Sequence, residues 1–246
     1  MKKKVLYILL LIATLTMGHA ANVYAQEDSK TYTTPNGIVM SYKEYTFLKE
    51  FYFEGYPDMM TPEDYEAFQS KGFNLDSLEK KSLYLKEDNT RSTSHTTSYK
   101  QLVIGKSCTS TYCFVSIGLN WLVNPTIRSY DVIGAYVAGV SILDFDPAVV
   151  VSSAGTSGYN YVQSAYNGFG NSVLLPSSGT GIMVTQVIKT STGGVVLGSY
   201  QHAMQNVSLA TSQCYNFSLG GYGSVFSFYG NAVGKYDGMA GVDISV

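Results

Sequence analysis

Histidine is the side chain best suited to moving protons near neutral pH, and beyond residue 25 the sequence holds two, His95 and His202. A Ser-His-Asp or Cys-His site needs a base held by a third group. His95 falls in a polar linker, which leaves His202 as the candidate base, with Cys214 or a serine as nucleophile. No Gly-x-Ser-x-Gly elbow occurs, nor a known cysteine-protease signature. Strand alternation also puts Cys214 with Asn216 and Ser218, on an outward face. The expectation is therefore a strand histidine with ordinary hydrogen bonds, and no catalytic residue.

Carboxylates and thiols lead no further. Glycoside hydrolysis needs two acids across a cleft. The region after residue 96 offers Asp131, Asp144, Asp146, Asp237 and Asp243, and no Glu. Asp144-Phe-Asp146 lacks the further acids of a calcium loop. No His/Cys cluster has zinc spacing, and no glycine-rich segment matches a phosphate loop, so neither metal nor cofactor is expected. Of the three cysteines, Cys108 and Cys113 flank four residues between strand-like stretches. A hairpin there would bring their Cα atoms to disulfide spacing. Two free thiols are the other reading.

The most distinctive segment runs Asn120-Trp121-x-x-x-Pro125-x-x-Arg128-Ser129-Tyr130-Asp131. It holds the only tryptophan and two of the ten charges after residue 96. Charges in such neutral surroundings must find partners. One reading has Trp121 in the core, with Arg128 and Asp131 tying a corner. The other makes Arg128, Tyr130 and Asp131 a ligand site. Residues 120–134, together with Asn36-Gly37-Ile38-x-Met40-Ser41-x-x-Glu44-Tyr45 and Ser199-Tyr200-x-His202-Ala203, resemble uncharacterised secreted proteins of Gram-positive bacteria. That resemblance implies location and organisation, and no activity.

The elements that must position these residues are legible in the patterning. Lys2, Lys3 and Lys4 precede an apolar run from Val5 to Met17, and Val23-Tyr24-Ala25 fits a signal cleavage site before Gln26. The run is shorter than a bilayer-spanning helix requires. The division expected is a signal peptide at 1–25, a short helical segment at 26–85, a linker at 86–96 and a β-domain at 97–246. Ser41-x-x-Glu44 reads as a capping box, and Thr61-Pro62-Glu63-Asp64 as a second helix start. A third short helix is expected within 74–86. From Tyr99 the period changes to 2. Val115, Ile117, Leu119, Trp121 and Val123 alternate with polar residues, the mark of an antiparallel sheet with one wet face. Further strands are expected at 101–107, 129–137, 148–153, 182–189, 194–201, 205–210, 213–219, 223–229 and 241–246, with a hairpin turn at Thr192-Gly193-Gly194. The fold class expected is mainly β, an antiparallel β-sandwich of jelly-roll-like type after a small helical part.

Charge narrows the function. Residues 26–91 hold 13 acids and 8 bases, whereas residues 92–246 hold five of each. From Pro147 to Gly234 the one formally charged side chain is Lys189. Nucleic-acid binding, which wants a basic face, is disfavoured. So is a basic amphipathic membrane helix, and no transmembrane segment is expected after cleavage. The function expected is non-enzymatic binding outside the cell, at the bacterial envelope or to a cell-wall glycan or extracellular protein. A secreted hydrolase with an unrecognised site is one alternative. A self-assembling or pore-forming β-protein is another, since few charges block edge pairing.

Overall fold

The computed structural model describes residues 30–86, 98–165, 168–206, 214–218, 224–229 and 236–246. The expected signal segment with Ala25 and Gln26, all but the first residue of the 86–96 linker, and most of the strand expected at 205–210 lie outside the described residues. Among the described residues, no helix is long and apolar enough to cross a membrane. The fold is mainly β and antiparallel, with open, sandwich-like sheets and a few helices. The chain divides into two compact units, one made of residues up to Glu50 with Glu54–Leu75, the other of Phe51–Phe53 with Asp76–Val246.

In the first unit, β1 (Thr31–Thr33) pairs antiparallel with β2 (Val39–Ser41) through a turn closed by the Gly37 amide on the Thr34 carbonyl, 2.9 Å. Gly37 adopts φ 80°, which glycine tolerates without steric cost. Helices α1 (Tyr42–Phe51), α2 (Tyr56–Met59) and α3 (Pro62–Lys71) follow. Ser41 and Glu44 form the capping box expected of them. The Ser41 hydroxyl accepts from the Glu44 amide at 3.1 Å, and the Glu44 carboxylate accepts from the Ser41 amide at 2.8 Å. Thr61 and Asp64 repeat the arrangement at α3, with Pro62 opening the helix and Gly72 ending it in the left-handed region. The Tyr65 hydroxyl donates to Glu44 at 3.1 Å and so joins the two capped helices. Phe47, Phe68 and Phe73 pack their rings together beneath them.

The second unit is a ten-stranded antiparallel sheet. Its strands are β3 (Leu78–Lys86), β4 (Ser98–Cys108), β5 (Tyr112–Trp121), β6 (Tyr130–Ala138), β7 (Ile142–Ser152), β8 (Gly155–Ala165), β9 (Gly168–Leu174), β10 (Met183–Ser191), β11 (Val195–Ala203) and β14 (Tyr236–Ser245). A separate hairpin joins β12 (Cys214–Ser218) to β13 (Ser224–Tyr229). The sheet order is β14-β11-β6-β9-β8-β7-β10-β5-β4-β3. Strand β8 turns the corner: Gly155–Gly158 pair with β7, and Tyr159–Ala165 pair with β9. The two halves thereby fold over one another, β11 near β4 and β5, and β14 near β3 and β4. Strands that pass from one layer to the other make such corners. The core is the inward alternation of both halves, including Val115, Ile117, Leu119, Ile133, Val196 and Ile244.

Three features differ from the sequence expectations or extend them. Residues 78–86 form an edge strand, where part of a third helix was expected. Leu, Glu and Lys favour helix locally, but antiparallel pairing of Leu78–Lys86 with β4 overrides propensity. The helical segment accordingly ends before β3, and β3 belongs to the sheet. Thr192-Gly193-Gly194 is not a hairpin turn, because β10 and β11 lie in different halves. It is a crossover, anchored by the Gly193 and Gly194 amides on the Val246 carbonyl at 2.6 and 3.1 Å. Strands β8 and β9 were unforeseen, and β7 begins earlier than expected. Its bulge sets Pro147 and Ala148 against Gln186 alone, since the register jumps from Thr185↔Val149 to Val187↔Asp146. A proline, lacking the amide a ladder needs, fits at a bulge.

Cys108 and Cys113 are paired residues at the end of the β4–β5 hairpin, joined by a disulfide with Cα atoms 4.1 Å apart. Where β14 approaches β3 and β4, Lys106 Nζ donates to the Ser245 carbonyl at 2.7 Å, and Lys81 lies 3.8 Å from the Asp243 carboxylate.

Candidate functional site

The site begins with a polar residue in a core position. On β6, alternation turns Asp131 to the same buried face as Ile133, Ala135 and Val137. On the neighbouring β11 it turns Tyr200 and His202 inward. The register Tyr200↔Ile133, Gln201↔Val132 carries His202 to a position facing Asp131. The Asp131 carboxylate is wholly buried and meets donors only. His202 Nδ1 lies 3.0 Å from both its oxygens, the Ala203 amide donates to Oδ1 at 2.9 Å, and the Tyr200 hydroxyl donates to Oδ2.

This arrangement fixes the imidazole tautomer. While Asp131 is ionised, a ring nitrogen shared between its two oxygens carries hydrogen, so the neutral ring presents Nε2 as a lone pair. Burial pushes the Asp131 carboxyl above its ordinary value, and the bonds from His202, Tyr200 and Ala203 offset only part of the rise. Burial, and then the Asp131 charge, hold the Tyr200 hydroxyl well above its ordinary value, so it stays a donor. The Trp121 indole N–H opposes part of that rise but is too poorly placed to close a hydrogen bond. The Trp121 ring meets His202 edge-on, centroids 4.6 Å apart, and Tyr200 at 6.4 Å. Lys100, opposite Trp121 on β4 and fully buried, sets its ammonium 5.4 Å from the indole centre and 5.3 Å from that of Tyr99.

His202 also borders a pocket of about 290 Å³, lined by Tyr99, Trp121, Val123, Asn124, Pro125, Thr126, Ile127 and Met204. Trp121, Pro125 and His202 are buried, Tyr99 and Ile127 half-buried, and Val123, Asn124, Thr126 and Met204 exposed. The Leu122 and Val123 amides donate to the Tyr99 carbonyl at 2.9 and 3.2 Å, pinning one side of the mouth. Among the described residues, no lining residue bears a formal charge, and none is a serine or cysteine. Among the described residues no group bonds His202 Nε2. The arrangement can hold a neutral, largely apolar group and meet it with the His202 imidazole. Proton transfer is the other chemistry an Asp-oriented imidazole supports.

The three residues expected as a ligand site do not converge. Arg128 is a clamp: its Nη1 donates to the Pro176 carbonyl at 3.1 Å, Nη2 to Gly179 at 2.8 Å and Nε to Pro125 at 3.4 Å. It thus ties the pocket's 122–127 wall to the 176–179 loop. Tyr130 is half-buried and, by alternation, on the face opposite Asp131. Asp131 alone belongs to the cluster. His202 was recognised in the sequence as the possible base, but its partner lies 71 residues away. The signal available was a pair of polar residues at inward parity on two apolar strands.

Elsewhere, the amides of Asn171 and Gln186 are buried in the interior without partners among the described residues. A second pocket of about 300 Å³ opens over β3, β4, β5 and β10, and Lys80, Lys81, Gln101 and Asn120 contribute to it. Among the described residues no group of three or more His, Cys, Asp or Glu could hold a metal ion. Compared with known proteins, the chain matches no family model and no curated protein.

Proposed function

We propose that this chain is a secreted, non-enzymatic protein that binds a neutral partner outside the cell through the pocket beside His202. The observation that carries the reading is the lining itself: aromatic and aliphatic walls, His202, exposed Asn124 and Thr126, and no formally charged side chain among the described residues. The low charge of residues 92–246 and the resemblance of residues 120–134 to secreted Gram-positive proteins support the location. The lining carries polar groups on Asn124, Thr126 and His202, but Val123, Pro125, Ile127 and Met204 make its surface predominantly apolar. The geometry therefore favours an apolar group of an extracellular protein over a cell-wall glycan.

The test is retention of wild-type protein and of Thr126→Trp, which fills the mouth from an exposed position, on envelope fractions and extracellular proteins. Retention by the wild type alone is expected. Equal retention of both excludes the pocket, and no retention at micromolar protein excludes the binding reading. The His202–Asp131 bond favours a second reading, a hydrolase in which His202 activates water. Turnover of an ester or amide, abolished in folded His202→Gln, would replace binding with catalysis.

A further inference from the structure

We infer that the pocket takes the phenol ring of a tyrosine in an extended segment of an extracellular protein, its hydroxyl donated to His202 Nε2. The inference rests on the binding reading above and names its ligand.

Size comes first. An apolar cavity of roughly 150 Å³ already accepts benzene. The pocket's volume of about 290 Å³ leaves room for a ring with groups at both ends. Polarity comes second. Asp131 holds the Nδ1 hydrogen, so the neutral ring offers a lone pair at Nε2, and the carboxylate bonded to Nδ1 strengthens it as an acceptor. His202 is 5% exposed, so a purely hydrocarbon ligand would cut Nε2 off from water with nothing in exchange. A phenol places one strong donor at the end of a flat apolar body. A carboxylate would meet the lone pair, with the Asp131 charge behind it. An ammonium or guanidinium finds no charged group in the lining among the described residues. The mouth comes third. Val123 and Met204 are exposed at 53% and 51%, beside Asn124 and Thr126. Two apolar side chains with an amide and a hydroxyl suit the residues flanking a tyrosine in an uncharged, extended segment.

The test titrates p-cresol, toluene, 4-methylbenzoate and 3-methylindole into the intact wild-type chain. Affinity and the ¹⁵N resonances of the His202 ring are followed together. p-Cresol should bind about tenfold tighter than toluene, the worth of one hydrogen bond. It should move the Nε2 resonance while Nδ1 stays nearly fixed, and Thr126→Trp should abolish both effects. Equal affinity for p-cresol and toluene, or a still Nε2, overturns the hydroxyl assignment while leaving an apolar binding pocket. Tighter binding of 3-methylindole or 4-methylbenzoate overturns the choice of tyrosine. Failure of every probe overturns both this inference and the binding reading.

Discussion

His202 faces Asp131 across the β6–β11 pair, with Nδ1 3.0 Å from each carboxylate oxygen. The carboxylate is closed in by donors from three residues, none on its own strand. The bond is thus a property of the fold: it exists only once β6 and β11 are neighbours in register. A core position given to a charged acid runs against the local rule for a buried strand, and such departures concentrate at functional or strained sites.

Removing the carboxylate should be severe. Asp131→Ala leaves the Tyr200 hydroxyl, His202 Nδ1–H and the Ala203 amide without their acceptor in the interior. The expected loss is about 3–5 kcal/mol, as for breaking a buried charged network from one side. Urea denaturation of variant and wild type measures it. A loss below about 1 kcal/mol would mean that water satisfies these donors.

The pH dependence has a definite sign. Because burial raises the Asp131 pKa in the fold, the native chain holds that proton more tightly than the unfolded chain. Its contribution is full below the unfolded value, about 3.9 for an aspartate, and is lost as pH rises through the folded value. Asp131→Asn should remove this decline. Urea midpoints measured from pH 3 upward should fall more steeply in the wild type than in the variant. Parallel curves would contradict the assignment.

Glu44 works in the opposite direction. Burial pushes its carboxyl up, but hydrogen bonds from the Ser41 side chain and amide, and from Tyr65, outweigh that and hold it below its ordinary value. Its contribution is present above the unfolded value of about 4.3 and is lost as pH falls through the folded one. Glu44→Gln can keep the capping-box bond but removes the charge at the helix start, so it should cost about 0.3–1 kcal/mol at pH 7. The cost should vanish in acid, as helical circular dichroism against denaturant would show.

Arg128→Ala should loosen the 122–127 wall by removing its tie to Pro176 and Gly179. The expected cost is about 2–3 kcal/mol, because charged donors to carbonyls in partly buried surroundings are among the stronger hydrogen bonds. p-Cresol affinity should fall with it. Unchanged melting with lost binding would instead make Arg128 a ligand contact.

Reducing the Cys108–Cys113 disulfide should be mild. It closes a loop with a sequence separation of five, for which chain entropy amounts to roughly 2 kcal/mol. At this size that corresponds to a fall in melting temperature of about 4–8 °C. Scanning calorimetry with and without reductant reads the difference. Global unfolding on reduction would show that the bridge does more than hold the hairpin.

What was legible depended on how local the cause was. The Ser41–Glu44 capping box and the helix start at Thr61 were visible because every partner lies within three residues. Strand β5 was visible because its buried face alternates without interruption from Cys113 to Trp121. Strand β3 was misread because its charged, leucine-spaced sequence suits a helix and an edge strand alike. Strand β9, Gly168–Leu174, has the glycines of a loop and becomes a strand because β6 and β8 flank it on both sides. The cluster was half legible: inward parity of Asp131 and of His202 can be read along each strand, while the adjacency of β6 and β11 cannot.

The sheet order also governs the route to the native state. Strand β10 closes on β5, and β11 on β6, across long stretches of intervening chain. Such pairings cannot reward their loop-closure entropy early, so sheets of this kind form in milliseconds to seconds. The imidazole and carboxylate therefore meet only when β11 closes on β6, and the pocket forms only when Tyr99 and Trp121 of the other half reach His202. Until then, Asp131 and His202 sit in water as ordinary residues. The pocket should be among the last parts of the molecule to acquire its chemistry and, on unfolding, among the first to lose it.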